Sequence, residues 1–310
     1  MEFHHIPVML KECIEGLNIK PDGIYFDGTL GGGGHSEAIL KRLGNGKLIA
    51  TDLDDDALAF ATKRLREYSE NFIPVKSNFK DFDEVLSSNG YGEIDGFLLD
   101  LGVSSYQLDN KERGFSYLSE DTPLDMRMDE TQPLSARTVV NEYTEGNLRY
   151  LISMYGEERF AANIAREIVQ KRQIKPIETT GELVKIIIDA IPKKFQHDGH
   201  PAKRTFQAIR IEVNDELDGL KECVYGMVKR LKKGGRLAII TFHSLEDRIV
   251  KQCFKDLETA CTCDKRFPVC VCGRKQVIEV ITKKPVVASE QETNDNPRSK
   301  CAKLRIAEKL

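Results

Sequence analysis

Asp27-Gly28-Thr29-Leu30-Gly31-Gly32-Gly33-Gly34-His35-Ser36 is the stretch of this chain best equipped to hold a small ligand. Four consecutive glycines accept positive φ and let the backbone approach a ligand closely. The helix expected to follow offers unpaired N–H groups at its start. Asp52 stands where the next strand should end, a position from which a carboxylate accepts hydrogen bonds from ribose hydroxyls. Three ligand classes compete for such a turn. A phosphate loop needs Gly-Lys-Ser/Thr at its end, and that is absent. The dinucleotide pattern Gly-x-Gly-x-x-Gly is only approximated by Gly31-x-Gly33-x-x-Ser36. A methyltransferase needs no pyrophosphate grip, only a glycine turn and an acid for the ribose. The acidic strand end, the turn and Asp52 suit that class best, with a tight turn of no function as the plain alternative.

Leu98-Leu99-Asp100-Leu101-Gly102-Val103-Ser104-Ser105 marks the end of a fourth strand beside the same crevice. A carboxylate there can accept a hydrogen bond from an amine undergoing methylation. Transfer from a sulfonium is an in-line displacement, so positioning carries much of the catalysis. An acceptor for the amine protons helps as charge develops. The competing reading of Asp100 is a capping acid after a strand. Farther on, Cys261-Thr-Cys263 and Cys270-Val-Cys272 could supply four thiolates to one zinc ion. Four thiols in a surface excursion are the alternative, and the proposed methyl transfer requires no metal.

These groups need a scaffold. Short apolar runs at Ile24–Phe26, Lys47–Thr51, Phe72–Val75 and Ile94–Leu101 alternate with helical patterns at Ser36–Leu43, Asp56–Tyr68 and from Phe82 to Leu86. That rhythm implies βαβ units and a parallel sheet. The fourth run is almost wholly apolar, as a strand buried on both faces should be. From about Gln107 to Phe206 the rhythm stops, and helical stretches such as Glu145–Met154, Glu158–Arg172 and Thr180–Ile191 replace it. It resumes with a helix over Asn214–Leu231 and strands at Arg236–Phe242, Gln276–Thr282 and Ala302–Ala307. Ser289–Lys300 reads as a mobile polar loop. The expected division is therefore residues 1–106 and 207–310 for an α/β domain, with 107–206 as an all-helical insertion. The 310 residues carry a net charge of only -3, so any nucleic-acid surface must come from local clustering. Ile186–Ile191 is apolar but too short to span a bilayer. A cytoplasmic protein with no membrane segment is expected.

Six motifs together resemble the MraW methyltransferase family. They are Asp27–Ser36, Leu98–Ser105, Pro123-Leu-Asp-Met-Arg-Met128, Tyr155-Gly-Glu-Glu-Arg-Phe160, Arg204-Thr-Phe-Gln-Ala-Ile-Arg210 and Phe242-His-Ser-Leu-Glu-Asp-Arg248. The resemblance covers nearly the whole chain. It implies a class I S-adenosylmethionine-dependent methyltransferase, with a Rossmann-like, seven-stranded, mostly parallel sheet interrupted by a helical domain for substrate recognition. It also implies methylation of N4 of a cytidine in 16S rRNA, in the decoding region of the small ribosomal subunit. Carried over position by position, the cofactor contacts are Gly33, Gly34, His35, Asp52, Phe79, Asp100 and Gln107. Phe79 could cover the adenine or pack in the core. Gln107 could reach the cofactor's amino-acid end. His35 is given no acid–base role. Asp100 is the expected catalytic acceptor. Many amino-methyltransferases carry Asp/Asn/Ser-Pro-Pro-aromatic at the fourth strand, whereas this chain reads Asp100-Leu101-Gly102-Val103, so no base-stacking aromatic is assigned there.

Lys193, Lys194, Lys203, Arg204 and Arg210 form one basic cluster, and Arg159, Arg166, Lys171, Arg172 and Lys175 another. Such clusters can contact phosphates, and Phe115, Tyr117 or Phe206 could stack bases. Solvated helix faces and ordinary core aromatics are the competing reading. His243, directly after the fifth strand, could face the crevice or be structural. A homodimer stays open. A nicotinamide-dependent dehydrogenase and a non-enzymatic ribosome-assembly factor are the alternatives of other classes.

Overall fold

The computed structural model describes residues 7–119, 121–197, 199–263 and 271–310. The chain forms two compact units. The first comprises Met1–Gly102 with Leu217–Leu310, and the second is Val103–Glu216. In chain order the first unit opens with α1 (Leu10–Leu17), β1 (Ile24–Asp27), α2 (Gly34–Leu40), β2 (Lys47–Asp52), α3 (Asp55–Arg64), β3 (Phe72–Lys76), α4 (Phe82–Ser88) and β4 (Ile94–Asp100). The second unit contributes α5 (Ser105–Asp109), α6 (Ala136–Glu142), α7 (Glu145–Met154), α8 (Ala161–Ile174), α9 (Thr180–Ala190) and α10 (Lys203–Asn214). The first unit then resumes with α11 (Leu220–Arg230), β5 (Leu231–Thr241), α12 (Ser244–Glu258), β6 (Ile278–Val280), β7 (Val286–Val287), α13 (Glu290–Asp295) and β8 (Lys303–Lys309).

The sheet runs β3-β2-β1-β4-β5-β8-β6, with the two-residue β7 paired to β8 off this path. The seven strands expected from the sequence form the path, and β7 adds an eighth. β1 to β5 are mutually parallel, while β8 is antiparallel to its neighbours β5, β6 and β7. The architecture is a Rossmann-like, mostly parallel sheet. Chain order reverses beside β1, which has β2 on one side and β4 on the other. In open α/β sheets ligands bind at that switch point, outside the carboxyl ends of the strands. β1, β2 and β4 end there in Asp27, Asp52 and Asp100.

Side-chain alternation along the strands builds two cores on opposite faces of the sheet. Phe26, Phe97 and Phe82 of α4 meet on one face, with ring centroids 5.5 to 6.5 Å apart. Tyr25, Leu48, Leu98 and Ile240 line the other, under α1 and α2. β4 lies between β1 and β5 and is buried from Ile94 to Leu99, which explains its unbroken apolar run.

Two expectations need correction. The helix expected over Asn214–Leu231 starts six residues late, at Leu220, and Asn214 is instead the last residue of α10. Asp215 adopts φ 51°, ends α10 in the left-handed region, and α11 begins only at Leu220. The boundary placed after Phe206 therefore falls inside α10, which belongs with the second unit. The polar stretch Ser289–Lys300 also has regular structure. Ser289 caps α13 by accepting the Glu292 N–H at 3.1 Å, and Glu292 Oε1 accepts the Met9 N–H at 2.6 Å. The Ser-x-x-Glu spacing that specifies such a cap was visible in the sequence beneath the polar composition.

The second unit has its own core, drawn from Val139, Leu148, Ile152, Ile164, Ile168, Ile187 and Ile209 among others. α9 starts with a reciprocal cap between Thr179 and Glu182. Thr179→Ala removes one acceptor and should destabilise this unit by about 1 kcal/mol. Urea unfolding of the two proteins, compared at equal m-value, measures it.

Candidate functional site

The turn after β1 is held by its own acid. Asp27, almost fully buried, accepts the Thr29 N–H at 3.1 Å and the Ser36 hydroxyl at 2.7 Å. Burial pushes its pKa up, and these hydrogen bonds oppose the shift. Thr29 Oγ1 in turn accepts the Asp100 backbone N–H at 2.7 Å, fastening the turn to the end of β4. A Cβ on Gly28 would lie 2.4 Å from Leu99 Cδ2 and 2.7 Å from Phe79 Cβ, so only glycine lets the turn leave β1 there. Gly33 caps α2 at φ 76°, a conformation that strains other residues.

Asp52 reaches back from β2 to the same turn. Its Oδ2 accepts the Gly31 N–H at 2.8 Å and its Oδ1 accepts the Asp54 N–H at 3.0 Å. Burial raises its pKa to about 6 despite both bonds. Each oxygen keeps a lone pair for a ligand hydroxyl. Phe79 follows β3 and packs against the core beneath Gly28, so the core-packing reading of this ring has direct support.

His35 Nε2 lies 3.0 Å from the Val8 carbonyl oxygen. A carbonyl only accepts, so Nε2 carries the proton and Nδ1 presents a lone pair. That nitrogen lies 3.7 Å from Asp100 Oδ2. Burial lowers the His35 pKa to about 4, so the ring is neutral at pH 7. It is a wall of the site and gives Asp100 no compensating charge.

Asp100 is the exceptional group. Its side chain is 19% exposed overall, yet its Oδ1 is buried and has no hydrogen-bond partner among the described residues. Desolvation, then the neighbouring charges of Asp27 and Glu246, push its pKa up to about 8. Glu246, in the first turn of α12, was not anticipated. Its Oε2 accepts the Phe242 and His243 N–H groups at 2.8 and 3.2 Å. His243 Nδ1 accepts the Glu246 N–H, and its Nε2 sits 3.1 Å from Glu246 Oε1 without hydrogen-bonding geometry. His243 is thus the helix cap. A histidine in the place usually taken by Ser or Thr hid the capping box in His243-Ser-Leu-Glu246.

Of the residues expected around the cofactor, Gly33, Gly34, His35, Asp52, Phe79 and Asp100 belong to the first unit, at or following the ends of β1 to β4. Gln107 belongs to the second unit. There it closes a capping box at the start of α5, its Oε1 accepting the Ser104 N–H at 3.0 Å.

The proposed RNA-facing groups divide similarly. Phe115 and Phe206 are buried in the core of the second unit and cannot stack a base as they stand. Tyr117 is partly buried and stacks on His200 at 4.7 Å. Arg210 is bound to Glu216, Lys175 to Glu182, and Arg172 to the Val140 carbonyl, so these cations have local structural roles. An aromatic pair missed in the sequence lies among the remaining ones. Phe160 and Phe195 have centroids 5.2 Å apart, with the Arg159 guanidinium 4.2 Å from the Phe195 ring and Lys194 at 5.0 Å. Phe195 is among the exposed large apolar residues.

Among the described residues, no helix is long and apolar enough to cross a membrane. Residues 2–310 match the family model described as the MraW methylase family. The ribosomal RNA small subunit methyltransferase H of Clostridium botulinum (strain Kyoto / Type A2) is 57% identical over 311 residues, covering 100% of both chains. The protein of that name from Lachnospira eligens is 56% identical over 312 residues, covering 100% of this chain and 99% of its own. That from Carboxydothermus hydrogenoformans is 55% identical over 310 residues, again with 100% and 99% coverage. With a family match over essentially its whole length and relatives this similar from end to end, the chain belongs to the MraW methylase family.

Proposed function

We propose that this chain transfers a methyl group from S-adenosylmethionine to N4 of a cytidine in 16S rRNA, in the decoding region of the small ribosomal subunit. The observation that carries the chemistry is the orphaned carboxylate oxygen of Asp100 at the switch point of the sheet. A buried acceptor without a donor is costly and marks a place where a ligand supplies one. The substrate rests on the similarity to small-subunit rRNA methyltransferases.

The residues fit the cofactor. Asp52 would accept from its ribose hydroxyls, the turn Gly31–Gly34 would pass beneath its methionine part, and Phe79 would border the adenine. When bound, S-adenosylmethionine supplies an electrophilic methyl group on a positively charged sulfur. Asp100 would accept a hydrogen bond from the target amine, balance positive charge as the N–C bond forms and the S–C bond breaks, and take up the proton that the amine loses. Asp27, Thr29 and Ser36 hold that carboxylate and the turn in register. His35, neutral and tied to Val8, excludes water. The target amine lies within a base, so the nucleotide must be unpaired or flipped. The second unit, with Arg159, Lys194 and Phe195, serves as the substrate-recognition part. The enzyme works in the cytoplasm, where its substrate is made. A homodimer would sediment at twice the 35.1 kDa chain mass.

Labelled S-adenosylmethionine incubated with small subunits lacking the modification should label the 16S rRNA. Absence of label, with cofactor binding demonstrated by calorimetry, would overturn the proposal.

Cofactor affinity should rise with pH. Asp52 and Asp100 have pKa values raised to about 6 and 8, so both are largely protonated in the empty protein below pH 6. The ribose and the cationic sulfur favour the ionised forms. Affinity should therefore improve by up to about tenfold per pH unit between 6 and 8 as Asp100 ionises. S-adenosylhomocysteine, whose sulfur is neutral, should show the shallower slope. Parallel slopes for the two ligands would count against Asp100 facing the sulfonium.

A further inference from the structure

The excursion between α12 and β6 is tied at its base. Val277 donates its N–H to the Leu257 carbonyl at 2.9 Å, and Arg274 pairs with Asp256 at 2.6 Å. Beyond that base the methyl-transfer site assigns no role to the chain. Yet three cysteines converge there. The sulfur atoms of Cys261, Cys263 and Cys272 all lie within 4.8 Å of one another.

We propose that Cys261, Cys263 and Cys272 form a thiolate metal site that takes a zinc-class divalent cation and staples this excursion.

Three observations support the assignment. The Cys261 and Cys272 sulfurs are 3.8 Å apart. Two thiolates on a tetrahedral zinc, with Zn–S of about 2.3 Å, stand roughly 3.8 Å apart, whereas a disulfide requires about 2.05 Å. Next, backbone donors point at the sulfurs. The Cys263 N–H lies 3.4 Å from Cys261 Sγ, and the Val271 N–H lies 3.4 Å from Cys263 Sγ. Such donors favour the anionic thiolate that a metal requires, and in metal sites they tune the ligand sulfurs. The ligand type also selects the metal. An all-sulfur set suits a soft or borderline cation such as zinc and disfavours magnesium or calcium, which prefer oxygen.

Cys270, the fourth cysteine expected from the sequence, lies outside the described residues. The three described sulfurs define the site, and the coordination count is part of its test. The metal would hold together two segments whose cysteines are separated by up to eleven positions, from Cys261 to Cys272. Because Cys261, Cys263 and Cys272 themselves lie outside any helix or strand, metal binding there contributes ordering free energy directly.

The full chain, purified under reducing conditions without added metal, should contain about one equivalent of zinc by mass spectrometry, as one site per chain demands. A mercurial thiol reagent should release it stoichiometrically. Reconstitution with cobalt(II) should produce the visible absorption of tetrahedral thiolate coordination, with X-ray absorption giving three or four sulfurs. Hydrogen exchange in residues 259–277 should accelerate on metal removal while S-adenosylmethionine binding persists. In C261S/C272S the metal content should fall below about one tenth of an equivalent. The wild-type measurements decide the matter whether or not that variant folds. No bound zinc and no cobalt spectrum after reconstitution would overturn the site, as would a Cys261–Cys272 disulfide in the reduced preparation.

Discussion

Asp100→Asn should lower the rate of methyl transfer to unmodified small subunits by roughly 10²- to 10⁴-fold, the range for losing a positioned proton acceptor. Asparagine preserves the shape of the side chain and leaves the backbone N–H to Thr29 untouched. It loses the negative charge and presents an amide donor where the target amine needs an acceptor. The variant should nevertheless fold at least as well as the wild type. Asp100 lies near Asp27 and Glu246, and its pKa is raised to about 8. An acid whose folded pKa exceeds its unfolded value of about 3.9 binds its proton more tightly when folded, so it loses stability as pH rises between those values. Asparagine escapes that penalty. The melting temperature of Asp100→Asn should therefore exceed that of the wild type by a margin that grows from pH 5 to pH 8. Together these measurements separate a chemical role from a structural one. An inactive variant with an unchanged or lower melting temperature at pH 8 would contradict this account of the site's electrostatics. A fully active variant would remove Asp100 from the chemistry.

Asp52→Ala should weaken S-adenosylmethionine binding by about 10²- to 10⁴-fold, measured by calorimetry at pH 8. Two effects combine. The ribose loses an ionised acceptor, and each hydrogen bond to a charged group contributes about 1.5 to 3 kcal/mol. The turn also loses its anchor, because Asp52 Oδ2 holds the Gly31 N–H at 2.8 Å. Asp52→Asn retains an acceptor that can still hold Gly31 but is neutral, so its affinity should fall between the two. It should also lack the lower-pH part of the affinity profile, which is assigned to Asp52 titrating near 6. A dissociation constant for Asp52→Ala within about threefold of wild type, less than one charged hydrogen bond would cost, would sink the assignment of this carboxylate to the ribose.

Asp100 and Asp52 thus have opposite relations to the fold. Among the described residues, Asp100 feels the charges of Asp27 of β1 and Glu246 of α12 and lies beside neutral His35 of α2, none of which compensates its own charge. Asp52 supports the turn even without a ligand. Strain at functional positions, offset by packing elsewhere, is the usual compromise of an active site.

Periodicity and composition determined the α/β rhythm, the parallel strands and the helical interruption, because burial on a sheet or helix face leaves a regular apolar spacing in one dimension. The glycine turn was legible for the same kind of reason: its conformational demand is local, and glycine meets it at Gly33. The strand-end acids Asp27, Asp52 and Asp100 were visible as residues. Their convergence depended on the strand order β3-β2-β1-β4, which brings together ends separated by many residues. Only tertiary structure could show that Asp100 Oδ1 has no donor among the described residues, that His35 is tied to Val8, and that Glu246 adds its charge from α12. Those properties arise from desolvation and Coulomb interaction between groups remote in sequence. Tertiary structure also decided that Phe115 and Phe206 are core residues, since an aromatic ring reads alike in sequence whether it faces a core or an RNA base. For the cysteines, the sequence supplied the ligand type and the fold supplied the distance: Cys261 and Cys272 stand 3.8 Å apart because the excursion is closed at its base by α12 and β6.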